Sequence, residues 1–194
     1  MIDMDKNKAI EALNLFNEKT EELINSGFVK HMQEVGLKVS LKMATDKQVE
    51  VTHTLPDREV IKAFVLTIRF FIQDNECSSI RNLATIYQQM PVSDNLKKDF
   101  AKVRDKLNDE FKKKTFLNLN GKDITYEKVF DIFIYGGLAH ANKAKKQEYD
   151  NWMKDKPIAS LIMSEFYNFL WYFLNCIAYI RKINIETISE LNRT

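Results

Sequence analysis

Apolar residues recur at helical spacing through most of this chain, and two short stretches alternate instead. Ala9, Ile10, Leu13, Phe16, Thr20, Leu23 and Ile24 line up on one face, which predicts a helix from Asp5 to Asn25. Gly27 is expected to stop it, because glycine takes the left-handed cap conformation without strain. Leu37, Val39, Leu41 and Met43 alternate with Lys38, Ser40 and Lys42. Past a turn at 44–47, Val49 and Val51 alternate with Glu50 and Thr52, so a β-hairpin is expected over 36–54. Pro56 suits an early helical position, and the next helix is predicted from Asp57 to Gln73. Val60, Ile61, Phe64, Val65, Ile68 and Ile72 give it one apolar face and Ala63, Leu66 and Phe70 a second, so it is expected to be central.

Ser78 or Ser79 is read as the cap of a short helix ending at Gln89, with Ile80, Leu83, Ala84 and Tyr87 inward and Pro91 as its stop. Ser93 is read as the cap of a long surface helix to Lys114, whose narrow stripe is Leu96, Phe100, Val103, Leu107 and Phe111. Asn120-Gly121 is a strong hairpin signal, since both central residues of the favoured turn need positive φ. Thr125 then caps a helix through Tyr135 that Gly136-Gly137 is expected to end. The last large helix is predicted from Pro157 to Lys182. It is apolar nearly all round, but Ser160, Ser164, Asn168, Trp171, Asn175, Tyr179 and Lys182 form one polar or amphipathic stripe with Glu165 beside it. That pattern favours a core helix over a membrane span. Residues 183–194 read as a polar, flexible tail. The fold class expected is mainly α: a single helical domain over 1–194, two central hydrophobic helices and two small edge β-hairpins.

Composition adds bounds rather than chemistry. The 194 residues are 45% hydrophobic and 29% charged, with thirteen Phe and seven Tyr, enough for a well-packed interior. The net charge of +2 does not by itself demand a polyanionic partner. Its distribution is uneven: eight basic and four acidic residues between Lys97 and Lys114 leave +4, while six acidic and four basic residues in the first thirty leave −2. Cys77 and Cys176 stand far apart with no CxxC, which suggests two buried thiols in a reducing cytoplasm. The N-terminus MIDMDKNK has no basic-then-apolar signal pattern. His31, His53 and His140 are scattered with no HxxxH, so no metal site and no cofactor are expected. Phosphate-binding glycine loops and a nucleophile elbow are also missing from the sequence.

The stretch from Ile134 to Trp152, IYGGLAHANKAKKQEYDNW, breaks the local rules, and such breaks concentrate at functional or strained sites. His140 is the one candidate for catalysis, because imidazole titrates near neutral pH. Lys143, Lys145 and Lys146 suit a phosphate backbone, and Tyr149 and Trp152 suit stacking on a base. The candidate binding residues are therefore Tyr135, Gly136, Gly137, His140, Asn142, Lys143, Lys146, Tyr149 and Trp152, with Arg81 from outside the stretch. The Arg-Asn…His signature of HEPN ribonucleases is not spelled out: Ile134, Tyr135 and Gly136 stand four to six positions before His140, and Ile86 and Tyr87 follow Arg81-Asn82.

The reading that results is a soluble cytoplasmic, non-catalytic binding or interaction protein, with its working surface at 135–152. An aromatic-rich last helix can supply a homodimer interface. The alternative is a nucleic-acid binder or HEPN-like RNA-directed nuclease using His140 with Arg81 and the basic helix at 93–114. In a helix-turn-helix variant of it, Lys97, Lys98, Lys102 and Arg104 contact phosphates.

Overall fold

A computed structural model of the chain describes residues 5–27, 29–30, 58–73, 79–119, 121–138 and 142–193. The hairpin expected over 36–54, Cys77 and the three histidines His31, His53 and His140 lie outside them. The described residues form a mainly helical protein with one two-stranded antiparallel sheet. Its elements are α1 (Lys6–Ile24), α2 (Arg58–Gln73), α3 (Ile80–Gln89), α4 (Asp94–Lys112), β1 (Thr115–Leu119), β2 (Lys122–Thr125), α5 (Tyr126–Ile132) with a π-helical extension (Phe133–Leu138), α6 (Lys143–Lys154) and α7 (Lys156–Leu191). The chain divides into two compact units, one of Met1–Glu22, Leu66–Lys114 and Tyr172–Thr194, the other of Leu23–Val65 and Thr115–Trp171.

In the first unit, the periodic apolar positions do what their spacing implies. Ala9, Leu13 and Phe16 of α1, Ile80, Leu83 and Tyr87 of α3, and Leu96, Phe100, Leu107 and Phe111 of α4 are buried. Phe71 of α2 was not among the expected core positions. It is 2% exposed and stands edge-on to Phe16 at 5.4 Å and to Phe173 at 5.7 Å. Leu66, expected on a second buried face of α2, is instead 43% exposed. Ser79 caps α3 as expected, its hydroxyl accepting from the Asn82 N–H at 3.2 Å. Ser93 holds the cap position of α4, but its side chain makes no capping bond. Its own N–H donates to the Glu190 carboxylate at 2.6 Å, so the start of α4 is tied to α7.

Two helix ends differ from expectation. Gly27 does not end α1 with a left-handed residue. The Ser26 hydroxyl donates to the Leu23 carbonyl at 2.6 Å and accepts from the Val29 N–H at 3.3 Å, and Gly27 sits in the helical turn that follows. The last helix does not stop at Lys182. It continues to Leu191, so residues 183–191 of the stretch read as a tail are helical. Asn184 and Thr187 look like solvent residues in the sequence, yet both are fully buried. The Tyr87 hydroxyl donates to Asn184 Oδ1 at 2.8 Å and meets Thr187 Oγ1 at 3.0 Å, and Asn184 Nδ2 donates to Asn17 Oδ1 at 3.1 Å. Arg181 reaches Glu21 at 2.8 Å beside this cluster. Buried polar groups that find partners are tolerated, and each partner removed leaves another group unsatisfied.

Tyr87→Phe is therefore expected to lower stability by about 1–2 kcal/mol, read by urea denaturation at neutral pH. Burial pushes the Tyr87 phenol above its usual value of 10.0, with Glu186 adding to the shift and the Thr187 hydrogen bond opposing it. A phenol that the fold keeps neutral stabilises fully below pH 10.0, and that stability is lost as pH rises toward its folded value. The gap between wild type and Tyr87→Phe should consequently narrow above pH 10.0. A gap that stays constant into that range would show that the hydroxyl is not desolvated.

The second unit is built around aromatic rings. Gly121 falls between β1 and β2 with φ 78°, while Asn120 lies outside the described residues. The Asn118 side chain accepts from the Gly121 N–H at 3.0 Å and donates to Asp123 at 2.7 Å, which fixes the turn. The register slips by one residue between Thr115 and Leu117, a bulge that falls at Phe116. Phe116 is 4% exposed and meets Tyr126 at 4.8 Å and Phe166 at 5.6 Å. Thr125 caps α5, accepting from the Lys128 N–H at 3.3 Å. Tyr126 stacks on Phe169 at 4.5 Å, and its hydroxyl donates to Glu165 at 3.2 Å. Phe166, fully buried, touches Phe116, Phe130 and Phe133 with centroids 5.2–5.6 Å away.

Asp155 ends α6 and starts α7, its carboxylate accepting from the Ile158 N–H at 3.1 Å, with Pro157 in the first turn where its missing donor costs nothing. On α7 the residues Asn168, Trp171, Asn175, Tyr179 and Lys182 of the expected stripe are exposed. Among the described residues, no helix is long and apolar enough to cross a membrane.

Candidate functional site

The stretch singled out by the sequence resolves into a π-helical turn, a connection at 139–141 outside the described residues, and α6. The glycines do not end the helix at Tyr135. The chain widens into π geometry at Phe133 and continues to Leu138, with Gly136 and Gly137 inside the wide turn. Single π turns inside helices are uncommon and concentrate at functional sites. Here the turn places Ile132, Phe133, Ile134 and Gly136 all in the interior.

Gly136 is required by the approach of α6. A Cβ built at this position collides with the backbone carbonyl oxygen of Lys145, lies 2.7 Å from the Lys145 carbonyl carbon, and lies 3.0 Å from Tyr149 Cβ. The glycine reads in sequence as a helix stop but acts as a contact surface for another helix's backbone. Asn142 holds the start of α6 on both sides: its side chain accepts from the Lys145 N–H at 3.3 Å, and its own N–H donates to the Tyr135 carbonyl at 3.2 Å. Lys145 pairs with Asp131 of α5, and its ammonium lies 4.6 Å from the centre of the Tyr135 ring. One lysine of the cluster is therefore occupied in docking α6 onto α5.

Tyr149 and Trp152, expected to stack on a base, are 8% and 6% exposed. Tyr149 stands edge-on to Phe133 at 5.0 Å. The two rings are the apolar anchor of α6, three residues apart on its inner side, and neither face is open to a ligand. That i, i+3 spacing behind a capping Asn142 was the available signal for α6, which the lysine-rich stretch obscured.

The outer side of α6 carries a different set. Lys143, Lys146, Gln147, Asn151 and Lys154 are exposed, while Glu148 and Asp150 are half-buried. Lys143, Lys146 and Lys154 enter no ion pair among the described residues. The first turn of α6 contains no acidic residue. Cations there oppose the helix dipole, which favours negative charge at this end.

Arg81 belongs to the first unit, exposed in the first turn of α3, whereas residues 135–152 belong to the second. On α4, Asp105, Asp109 and Glu110 pair with Arg104, Lys113 and Lys114, so part of the positive run neutralises itself along its own helix. Cys176 is half-buried. Burial pushes its thiol up and Glu110 adds to this, against the pull of a Tyr172 hydrogen bond and Lys106, so the thiolate is disfavoured. Among the described residues, no three His, Cys, Asp or Glu side chains gather as metal ligands would.

No family model, curated protein or solved structure matches this chain.

Proposed function

We propose that the protein is a non-catalytic binding module that engages an anionic partner through the outer face of α6. The observation that carries this reading is the division of one helix into two uses. Tyr149 and Trp152 fix its inner side in the core, while Lys143, Lys146 and Lys154 stand exposed with Gln147 and Asn151, and the carboxylates between them, Glu148 and Asp150, are half-buried. The π turn, the glycine contact, the Asn142 cap and the Lys145–Asp131 pair support it as well, since together they hold that face rigidly.

Lysines in the first turn of α6 cost stability through the dipole, and a binding role accounts for keeping them. Lys143→Glu is expected to raise stability by about 0.5 kcal/mol while weakening retention on a heparin column. Lys143→Ala, Lys146→Ala and Lys154→Ala combined should elute from heparin at clearly lower salt than wild type, with a melting temperature no lower than that of wild type. Elution at the wild-type salt concentration would remove this face from the function.

A further inference from the structure

Resting on that reading of α6, we propose that its partner is double-stranded DNA, with the helix seated in the major groove. Three features of the same helix select this partner among anionic ones. First, the exposed residues form one stripe: Lys143, Gln147, Asn151 and Lys154 follow at intervals of four, four and three, with Lys146 beside them and the half-buried Asp150 between Lys146 and Lys154. Two amides therefore occupy the middle, with a lysine at each end. Amide side chains pair with base edges in the major groove, and lysines bind phosphates. At about 1.5 Å rise per residue, Gln147 and Asn151 lie about 6 Å apart, close to two base-pair steps of about 3.4 Å. Lys143 and Lys154 lie about 16 Å apart on the same rise, far enough to reach backbone on either side of a groove about 12 Å wide. Neither amide makes a side-chain hydrogen bond to another described residue.

Second, protein interfaces are anchored by exposed aromatic or aliphatic side chains, and α6 offers none: among the described residues, the large exposed apolar ones stand on other helices. Third, single strands are held on exposed aromatic platforms, and the two rings of α6 are buried. Duplex RNA presents a major groove too deep and narrow for a helix.

The experiment is fluorescence anisotropy with the full-length protein against a randomised duplex DNA pool, single-stranded DNA, duplex RNA and polyglutamate, at low and physiological salt. Duplex DNA should bind most tightly, with affinity falling steeply as salt rises. The combined Lys143→Ala, Lys146→Ala, Lys154→Ala variant should lose at least tenfold and reduce the salt slope by about three. Gln147→Ala with Asn151→Ala should keep the salt slope but lose the sequence preference that selection from the pool reveals in wild type. Equal or tighter binding of polyglutamate, single strands or RNA would overturn the DNA assignment while leaving an anionic partner for α6. Duplex binding that the triple lysine variant retains would overturn it too, and so would its absence at low salt. Failure on heparin as well would sink the underlying reading of α6 along with it.

Discussion

Phe166→Ala is expected to cost about 3–5 kcal/mol, the largest effect of any single change considered for this protein. Phe166 is fully buried, and three rings from three different elements converge on it: Phe116 from β1, Phe130 from α5 and Phe133 from the π turn. Truncation removes the apolar transfer energy and the edge-to-face contacts together. The cavity it leaves can shrink only by moving a hairpin, a helix or the π turn, all of which are pinned elsewhere. Tyr126 adds to this pinning through its stack on Phe169 and its bond to Glu165. The measurement is chemical denaturation with Leu161→Ala as control, since Leu161 stands on the same helix and is 45% exposed. The control should change stability by less than about 0.5 kcal/mol. Equal costs for the two variants would show that the ring cluster does not organise this unit.

Gly136→Ala should cost about 2–3 kcal/mol, although it adds one methyl group and in most helices would stabilise. The added carbon would overlap the backbone carbonyl of Lys145, and a backbone cannot rotate out of the way as a side chain can. The π turn and α6 must separate. That shift also strains the Asn142–Tyr135 hydrogen bond and the Lys145–Asp131 pair. Gly27→Ala is the matched control, because Gly27 lies in a helical turn with nothing within 4 Å of an added Cβ. It should be neutral or slightly stabilising. A melting temperature for Gly136→Ala within a degree of the Gly27→Ala value would mean that α6 does not press on the π turn. If the helix does shift, heparin retention should fall with stability, whereas the surface lysine variants should lose retention alone.

Periodicity alone located most of the helices, because an amphipathic helix must turn its apolar stripe inward wherever it packs. Ala9, Leu13 and Phe16, or Leu96, Phe100 and Leu107, could be read directly as core for that reason. Turn and cap chemistry was equally local: Gly121, Ser79 and Thr125 do what their residue types permit. The candidate segment stands out in the sequence as well, but not which of its residues turn inward. Lysines and aromatics in one stretch looked like a single mixed site, and only the packing of α6 on α5 and the π turn separated Tyr149 and Trp152, which go inward, from Lys143 and Lys146, which stay out.

What tertiary structure decided shares one cause: each outcome depends on a partner in another element. Asn184 and Thr187 read as tail residues until Tyr87 supplies their hydrogen bonds from about a hundred positions away, and with that α7 extends to Leu191. Ser93 makes no capping bond with its side chain, and its own N–H is held by Glu190 from the other end of the chain. Gly136 reads as a helix stop until the backbone of Lys145 arrives against it. The sequence by itself determined which residues could be helical and which side of each helix is apolar, since both follow from a residue and its near neighbours. Which polar groups could be buried, and where a glycine was indispensable, was decided only when separate elements met, because hydrogen-bond satisfaction and steric exclusion are properties of pairs.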